Sequence, residues 1–435
     1  MKRLFLTLFF LISIANSAIS QTFNTRKTDA FIEYIEANNR AIGNVSIFKN
    51  GKEIYQRKFG DNNLDSNNNA YRIASVTKLI TATLIFQLIE QDKLGLKEPL
   101  SNYFPQIQKS GLITIEQLLN HTSGLADVNY KGNDMFWLLD KPHTREELLE
   151  NILSQELLFE PGTNLSYSNS GYFLLGQILE IKHKKNYPEI VKEQITIPLN
   201  LKTLKSGDNK LENVYPSLKY ENKEWKIKDD FLLSNIVSFG DITASTDDLN
   251  IFINALFDYK IISKESIEMM KPEENESFGG SGLTRTFYYD HLFLGHGGDS
   301  LGSYTFLRYN EKDKVSIAIN INGNRNILDA FYDGIVNSLY ELNFPKPIFL
   351  SDEVINKYVG TYESDNFPNI IFYNIDQDLY GEAQFEGEEK FALNPIKENI
   401  FKHRHIKVEF DLTNDRMILS IGNEKYIFIK IENKF

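Results

Sequence analysis

The strand-forming stretches of this 435-residue chain stand far apart, and that spacing restricts the fold more than any other feature. Asn44–Phe48 and Glu53–Phe59 read as strands. Asn50-Gly51 lies between them, a dipeptide suited to a two-residue hairpin because both positions accept positive φ. Strand patterns return only at Leu292–Leu294, Tyr304–Tyr309 and Val315–Ile321. The interval from Thr114 to about Leu292 is mostly helical, with helices expected over Ile115–Leu119, Glu146–Leu153, Tyr172–Lys182 and Thr246–Leu256. Helical periodicity also covers Thr28–Asn38, Ser75–Gln91 and Ile327–Leu342. One antiparallel sheet built from both ends, flanked by helices and carrying an inserted helical subdomain, is the simplest arrangement: an α+β fold.

After Asn343-Phe344-Pro345-Lys346-Pro347 the pattern changes. Short β-rich runs at Tyr358–Tyr362, Ile370–Tyr373, Ile406–Phe410, Met417–Ile421 and Tyr426–Ile431 predict a small antiparallel barrel or sandwich. The expected division is a signal peptide at 1–20, a main domain at 21–342, a linker at 343–350 and a β-rich domain at 351–435.

The signal peptide is read from Lys2 and Arg3, the apolar run Leu4–Ala15, and the small residues Ser17, Ala18 and Ser20. That run is short for a membrane span, so the expectation is an exported chain, periplasmic or secreted. No cysteine occurs, which excludes thiol catalysis, thiolate metal sites and disulfides. A formal charge of −12 argues against a nucleic-acid surface.

Ser75-Val76-Thr77-Lys78 is a Ser-x-x-Lys sequence standing where a helix should begin. On a helix the two end residues share a face, so the amine can reach the hydroxyl. Placed at a helix start, Ser75 meets free N–H groups and the positive end of the dipole. A serine needs a base to become a nucleophile, and a lysine with a lowered pKa supplies one. Tyr167-Ser168-Asn169 lies in a loop opening into a helix, where Tyr167 is a second acid/base candidate and Asn169 a holder of a substrate amide. His296-Gly297-Gly298 follows a strand, and its glycines let a substrate backbone lie against the strand edge. The N–H of Asp299 can join that of Ser75 in an oxyanion hole.

These three motifs resemble the serine β-lactamase-like and penicillin-binding-protein-like hydrolases, in the class C β-lactamase and D-alanyl-D-alanine carboxypeptidase branch. Supporting runs are Leu118–Leu125, Phe159–Tyr172 and Ile242–Leu249, and the resemblance covers Lys27 to Leu342. The C-terminal part resembles the lipocalin-like appendage of some members. The resemblance implies an acyl-enzyme on Ser75, with Lys78 and Tyr167 sharing proton transfer and no metal or organic cofactor. The expected function is that of an exported serine hydrolase of esters or of peptide and amide bonds, with a small molecule or peptide as its partner. A slow-acylating penicillin or peptide receptor is the alternative.

Penicillin-active members usually carry Lys-Thr-Gly where this chain has His296-Gly297-Gly298. A lysine is a fixed cation for a substrate carboxylate, whereas histidine is mostly neutral at pH 7. Efficient β-lactam turnover is therefore not expected, and carboxylate-bearing substrates are expected to bind better near pH 6. Two further patterns compete for attention. Gly298-Asp299-Ser300-Leu301-Gly302 fits the nucleophile-elbow pattern, but Tyr304–Tyr309 and Val315–Ile321 follow it and read as a hairpin where that pattern needs a helix. His403-Arg404-His405 lacks further ligands and reads as strand decoration.

Overall fold

A computed structural model describes residues 25–431 apart from 61–67, 133, 135–136, 208–209, 275 and 386–389. The expected signal peptide and most of the Asn-rich loop after Gly60 lie outside the described residues.

Six strands form the body of one antiparallel sheet: β1 (Ala41–Lys49), β2 (Lys52–Phe59), β3 (Thr284–Tyr288), β4 (His291–Ser300), β5 (Ser303–Asn310) and β6 (Val315–Asn324). Their order is β2-β1-β6-β5-β4-β3, so the central β1–β6 pair joins the two distant strand groups. Asn50 (φ 52) and Gly51 (φ 70) make the β1–β2 turn, as their residue types require. Helices α1 (Thr25–Ala37) and α5 (Leu328–Leu339) cover one face through Phe31, Ile35, Phe331 and Ile335. Helices α2 (Thr77–Glu90), α3 (Asn169–His183) and α4 (Thr246–Phe257) belong to the core on the other face. Alternation along β6 serves both layers: Ile317 and Ile319 face the first core and Ala318 the second. With both faces covered, β1 is buried along almost its whole length. Helix α2 runs through the interior with Leu79, Ile80, Leu84 and Phe86 buried on all sides.

Three details depart from expectation. Ser75 lies in a 3₁₀ turn, Ala74–Val76, and the α-helix begins at Thr77. The strand expected at Leu292–Leu294 continues to Ser300 and takes His296-Gly297-Gly298 into the sheet. The middle region also holds a hairpin, Leu218–Glu221 with Glu224–Ile227, which joins β6 through Leu218 and Gly323.

The C-terminal unit is a closed barrel of eight antiparallel strands from Gly360 to Ile431, sealed by pairing of Thr361 with Ile431. Three of them, Asp378–Ala383, Phe391–Lys397 and Ile400–His403, are not among the expected strands. Tyr358, Tyr362, Phe372 and Phe410 fill one part of its core.

The barrel docks on the main domain through ionic contacts. Arg40 pairs with Asp378, Lys223 Nζ lies 3.0 Å from Asp352 Oδ2, and the backbone N–H groups of Asn222 and Lys223 donate to Asp376 at 3.0 and 2.9 Å. Arg40 is only 3% exposed, so removing its partner strands a buried cation. Asp378→Ala is expected to cost about 3–5 kcal/mol in chemical denaturation, where surface pairs such as Lys97–Glu116 cost under about 1 kcal/mol when broken.

Candidate active site

The turn that carries Ser75 owes its shape to one strained residue. Ala74 has φ 46, a conformation that costs a non-glycine residue about 1–2 kcal/mol and persists only where surroundings enforce it. The enforcing contact comes from β4. A Cβ at Gly298 would meet the Ile73 carbonyl oxygen at 2.1 Å and the Ala74 Cβ at 3.2 Å, so the turn and the strand touch backbone to backbone. Gly297, by contrast, has nothing nearer than 3.8 Å to such an atom.

Ser75, Lys78 and Tyr167 come together as the sequence predicted. Tyr167 OH donates to Ser75 Oγ at 2.8 Å, and Lys78 Nζ lies 3.0 Å from the same oxygen. Lys78 is fully buried and also donates to the Phe239 carbonyl at 2.8 Å. Burial lowers its pKa to about 7, opposed by the negative charge of Asp127. Burial raises that of Tyr167 above its usual value, so the phenol keeps its proton.

Asn169 opens helix α3 two residues beyond Tyr167. Its Nδ2 donates to both oxygens of Asp127, at 3.1 and 2.9 Å. His296 lies in β4, on the stretch beyond the end of the β3 pairing at Gly295. Burial, helped by Lys78, lowers the His296 pKa to about 3. The ring is therefore neutral at pH 6, and the cation expected there for a carboxylate does not form.

Three residues not singled out as site candidates support this set. His121, 4% exposed and at φ 63, stacks on Tyr167 with centroids 4.5 Å apart and accepts the Ser168 N–H at Nδ1. It too is held neutral, its pKa lowered to about 3 by burial and by Lys78. Asp127 holds Asn169, as above. Asp230 ties the turn to the strand: it accepts from Ser300 Oγ at 2.6 Å and Ser217 Oγ at 2.5 Å, and lies 3.6 Å from Arg72 Nε. Ser300 is thus a buried strand-end hydroxyl leading into the hairpin to Ser303, not an elbow nucleophile. His403 Nδ1 donates to the Ala392 carbonyl at 2.8 Å, and no metal-binding group of residues occurs among the described residues.

A family model described as Beta-lactamase matches residues 28–340. This chain belongs to the beta-lactamase family. With its Ser75–Lys78–Tyr167 cluster it is a serine hydrolase of that fold. A penicillin-binding protein of Bacillus subtilis is 24% identical over 412 residues, covering 85% of this chain and 90% of that protein. A teichoic acid D-alanine hydrolase of Staphylococcus aureus is 23% identical over 325 residues, 72% of this chain and 78% of the other. The octameric penicillin-binding protein homologue from Pyrococcus abyssi superposes with a TM-score of 0.68 at 21% identity, covering 93% of this chain and 100% of that one. That coverage takes in the barrel as well as the beta-lactamase fold. No helix among the described residues is long and apolar enough to cross a membrane.

Gly297 and Gly298 of β4 make a direct test. Gly298→Ala must push β4 from the Ser75 turn, and a displacement near 1 Å in such a site costs about a hundredfold in rate. Gly297→Ala is expected to leave the melting temperature unchanged. Ester turnover and thermal melting of both variants check this.

Proposed function

We propose that this chain is an exported hydrolase that cleaves aminoacyl esters or amides through an acyl-enzyme on Ser75. Lys78, with its pKa near 7, takes the Ser75 proton as Oγ attacks the carbonyl carbon. The N–H groups of Ser75 and Asp299 hold the oxyanion. Tyr167 donates its proton to the leaving oxygen or nitrogen as the scissile bond breaks, and regains one from Lys78. Water then attacks the acyl carbon and returns the proton to Ser75. Export rests on Lys2, Arg3 and the apolar run Leu4–Ala15.

The observation that carries the choice of substrate is the charge around Ser75. Where carboxylate-binding relatives place a lysine, His296 is neutral, and His121 is neutral beside it. Asp127 is partly exposed and accepts from Asn169 Nδ2 and from the Asn129 N–H at 2.9 Å. With its Nδ2 committed to Asp127, Asn169 has only its carbonyl oxygen left. Two acceptors therefore border Tyr167, a setting for the three N–H donors of an α-ammonium. The D-alanine hydrolase named above is in keeping with such a substrate.

A D-alanyl ester should be turned over well and a cephalosporin chromophore poorly, with Ser75→Ala inactive toward both. Asp127→Asn should lower kcat/KM about 10- to 100-fold for the D-alanyl ester and little for its propionyl counterpart, the span of a charged hydrogen bond. Equal losses on both esters would remove the ammonium assignment.

Below its pKa Lys78 is protonated and accepts nothing, so kcat/KM should rise with pH through a midpoint near 7. With both histidines neutral down to about 3, neither contributes a limb between pH 5 and 8. A rate profile from pH 5 to 9 measures both.

A further inference from the structure

A cavity, about 1080 Å³ in volume, lies where the mouth of the barrel meets the linker and the end of the main sheet. Ser75, Lys78 and Tyr167 take no part in it. Its inner wall is apolar and belongs to the barrel: Ile370, Leu379, Leu393, Phe401 and Leu419, with Ile421 nearer the surface. Its volume slightly exceeds that of common small-ligand sites, about 300–1,000 Å³.

The outer wall carries an electrical imbalance. Arg40 and Arg325 are 3% and 5% exposed, yet they share one carboxylate, Asp378. Their other partners are carbonyl oxygens of Gln377, Asn39 and Asp376 and the rings of Phe349 and Tyr220. The Nε of each has no partner among the described residues. Buried charges are normally matched one for one, because an uncompensated ion loses its hydration without recompense. Among the described residues around the cavity, five Lys and Arg side chains stand against two Asp side chains, in a chain whose net charge is −12. Burial and the neighbouring Arg40 both weaken the hold of Arg325 on its proton, against the opposing pull of the Asp378 and Asp376 carboxylates.

We propose that this cavity binds a single-chain anionic amphiphile, its carboxylate or phosphate head at Arg40 and Arg325 and its alkyl chain in the apolar mouth of the barrel. Apolar walls alone would suit a neutral chain equally; the surplus buried cation selects the anionic end.

The full chain is titrated with cis-parinarate, a fluorescent long-chain carboxylate, which is then displaced by dodecanoate, lysophosphatidate, dodecanol or inorganic phosphate. Saturable binding is expected, with dodecanoate or lysophosphatidate displacing the probe at least about tenfold better than dodecanol, and phosphate alone ineffective. Which of the two anionic lipids is stronger identifies the head group. Arg325→Gln should weaken the anions toward the level of dodecanol. Ile421→Glu, or Ile406→Glu on the same rim, should weaken every chain-bearing ligand while leaving the melting temperature and Ser75-dependent ester turnover in place. Absence of saturable probe binding, equal displacement by dodecanol, or binding indifferent to these substitutions in folded protein would overturn the assignment.

Discussion

The backbone contact between Gly298 and the Ile73–Ala74 turn is the constraint on which the site depends. It holds a non-glycine residue at φ 46, and so aims Ser75 Oγ at Lys78 and Tyr167. It also brings the open edge of β4 against that turn, which sets the distance between the two proposed oxyanion donors. A side chain at residue 298 breaks both relations together. Asp230 reinforces the contact from one end by binding Ser300 and lying beside Arg72, the residue before Ile73. Ser303 Oγ reinforces it further by donating to the Arg72 carbonyl at 3.1 Å. The strain at Ala74 is thus held by a network rather than by one bond, as positions of stored strain require.

Electrostatics follow from the same packing. Lys78 is completely buried among the rings of Tyr167, Tyr172 and Phe239, and burial makes its amine a usable base near neutral pH. A buried, partly charged lysine in turn discourages protonation of every imidazole nearby, which is why His121 and His296 are both displaced downward with Lys78 among the causes. A histidine rather than a lysine at residue 296 therefore does more than swap one cation for a weaker one. It removes positive charge from that position at all ordinary pH values and leaves Asp127 as the side chain that sets the local sign.

How much of this could be read from the sequence depended on how local each relation is. Ser75 and Lys78 are three residues apart on one helical face, so their meeting follows from helix geometry alone. The hairpin at Asn50-Gly51 and the pairing of early with late strands were legible for a similar reason, since turn chemistry and period are local signals. Asp127 and Asp230 were not legible. Their partners lie 42 and 70 residues away, and an isolated Asp in a loop carries no mark of what it will touch. His121 sat within a motif but showed no role until Tyr167 stacked upon it. The barrel was underread because strands such as Asp378–Ala383 and Phe391–Lys397 contain Gly381 and Pro395, residues that weaken a strand pattern. Gly381 is there because a Cβ would meet the Phe391 ring at 2.8 Å, a reason that exists only in three dimensions.

The barrel is coupled to the site by the hairpin Leu218–Ile227. At its tip, Asn222 and Lys223 bind Asp376 and Asp352 of the C-terminal unit. At its base, Ser217 donates to Asp230, and the Lys228 N–H donates to the Ser217 carbonyl at 2.9 Å. One short ribbon therefore ends on the barrel at one side and on the carboxylate that secures β4 at the other. Arg325 belongs to the same junction, stacking over Tyr220 of the ribbon while facing Asp378 of the barrel. Whatever compensates the surplus charge at Arg40 and Arg325 acts on groups that also hold the ribbon. The cavity and the Ser75 site are separate in space, but they share this mechanical support, and the hairpin that the helical pattern of the middle region concealed is what connects them.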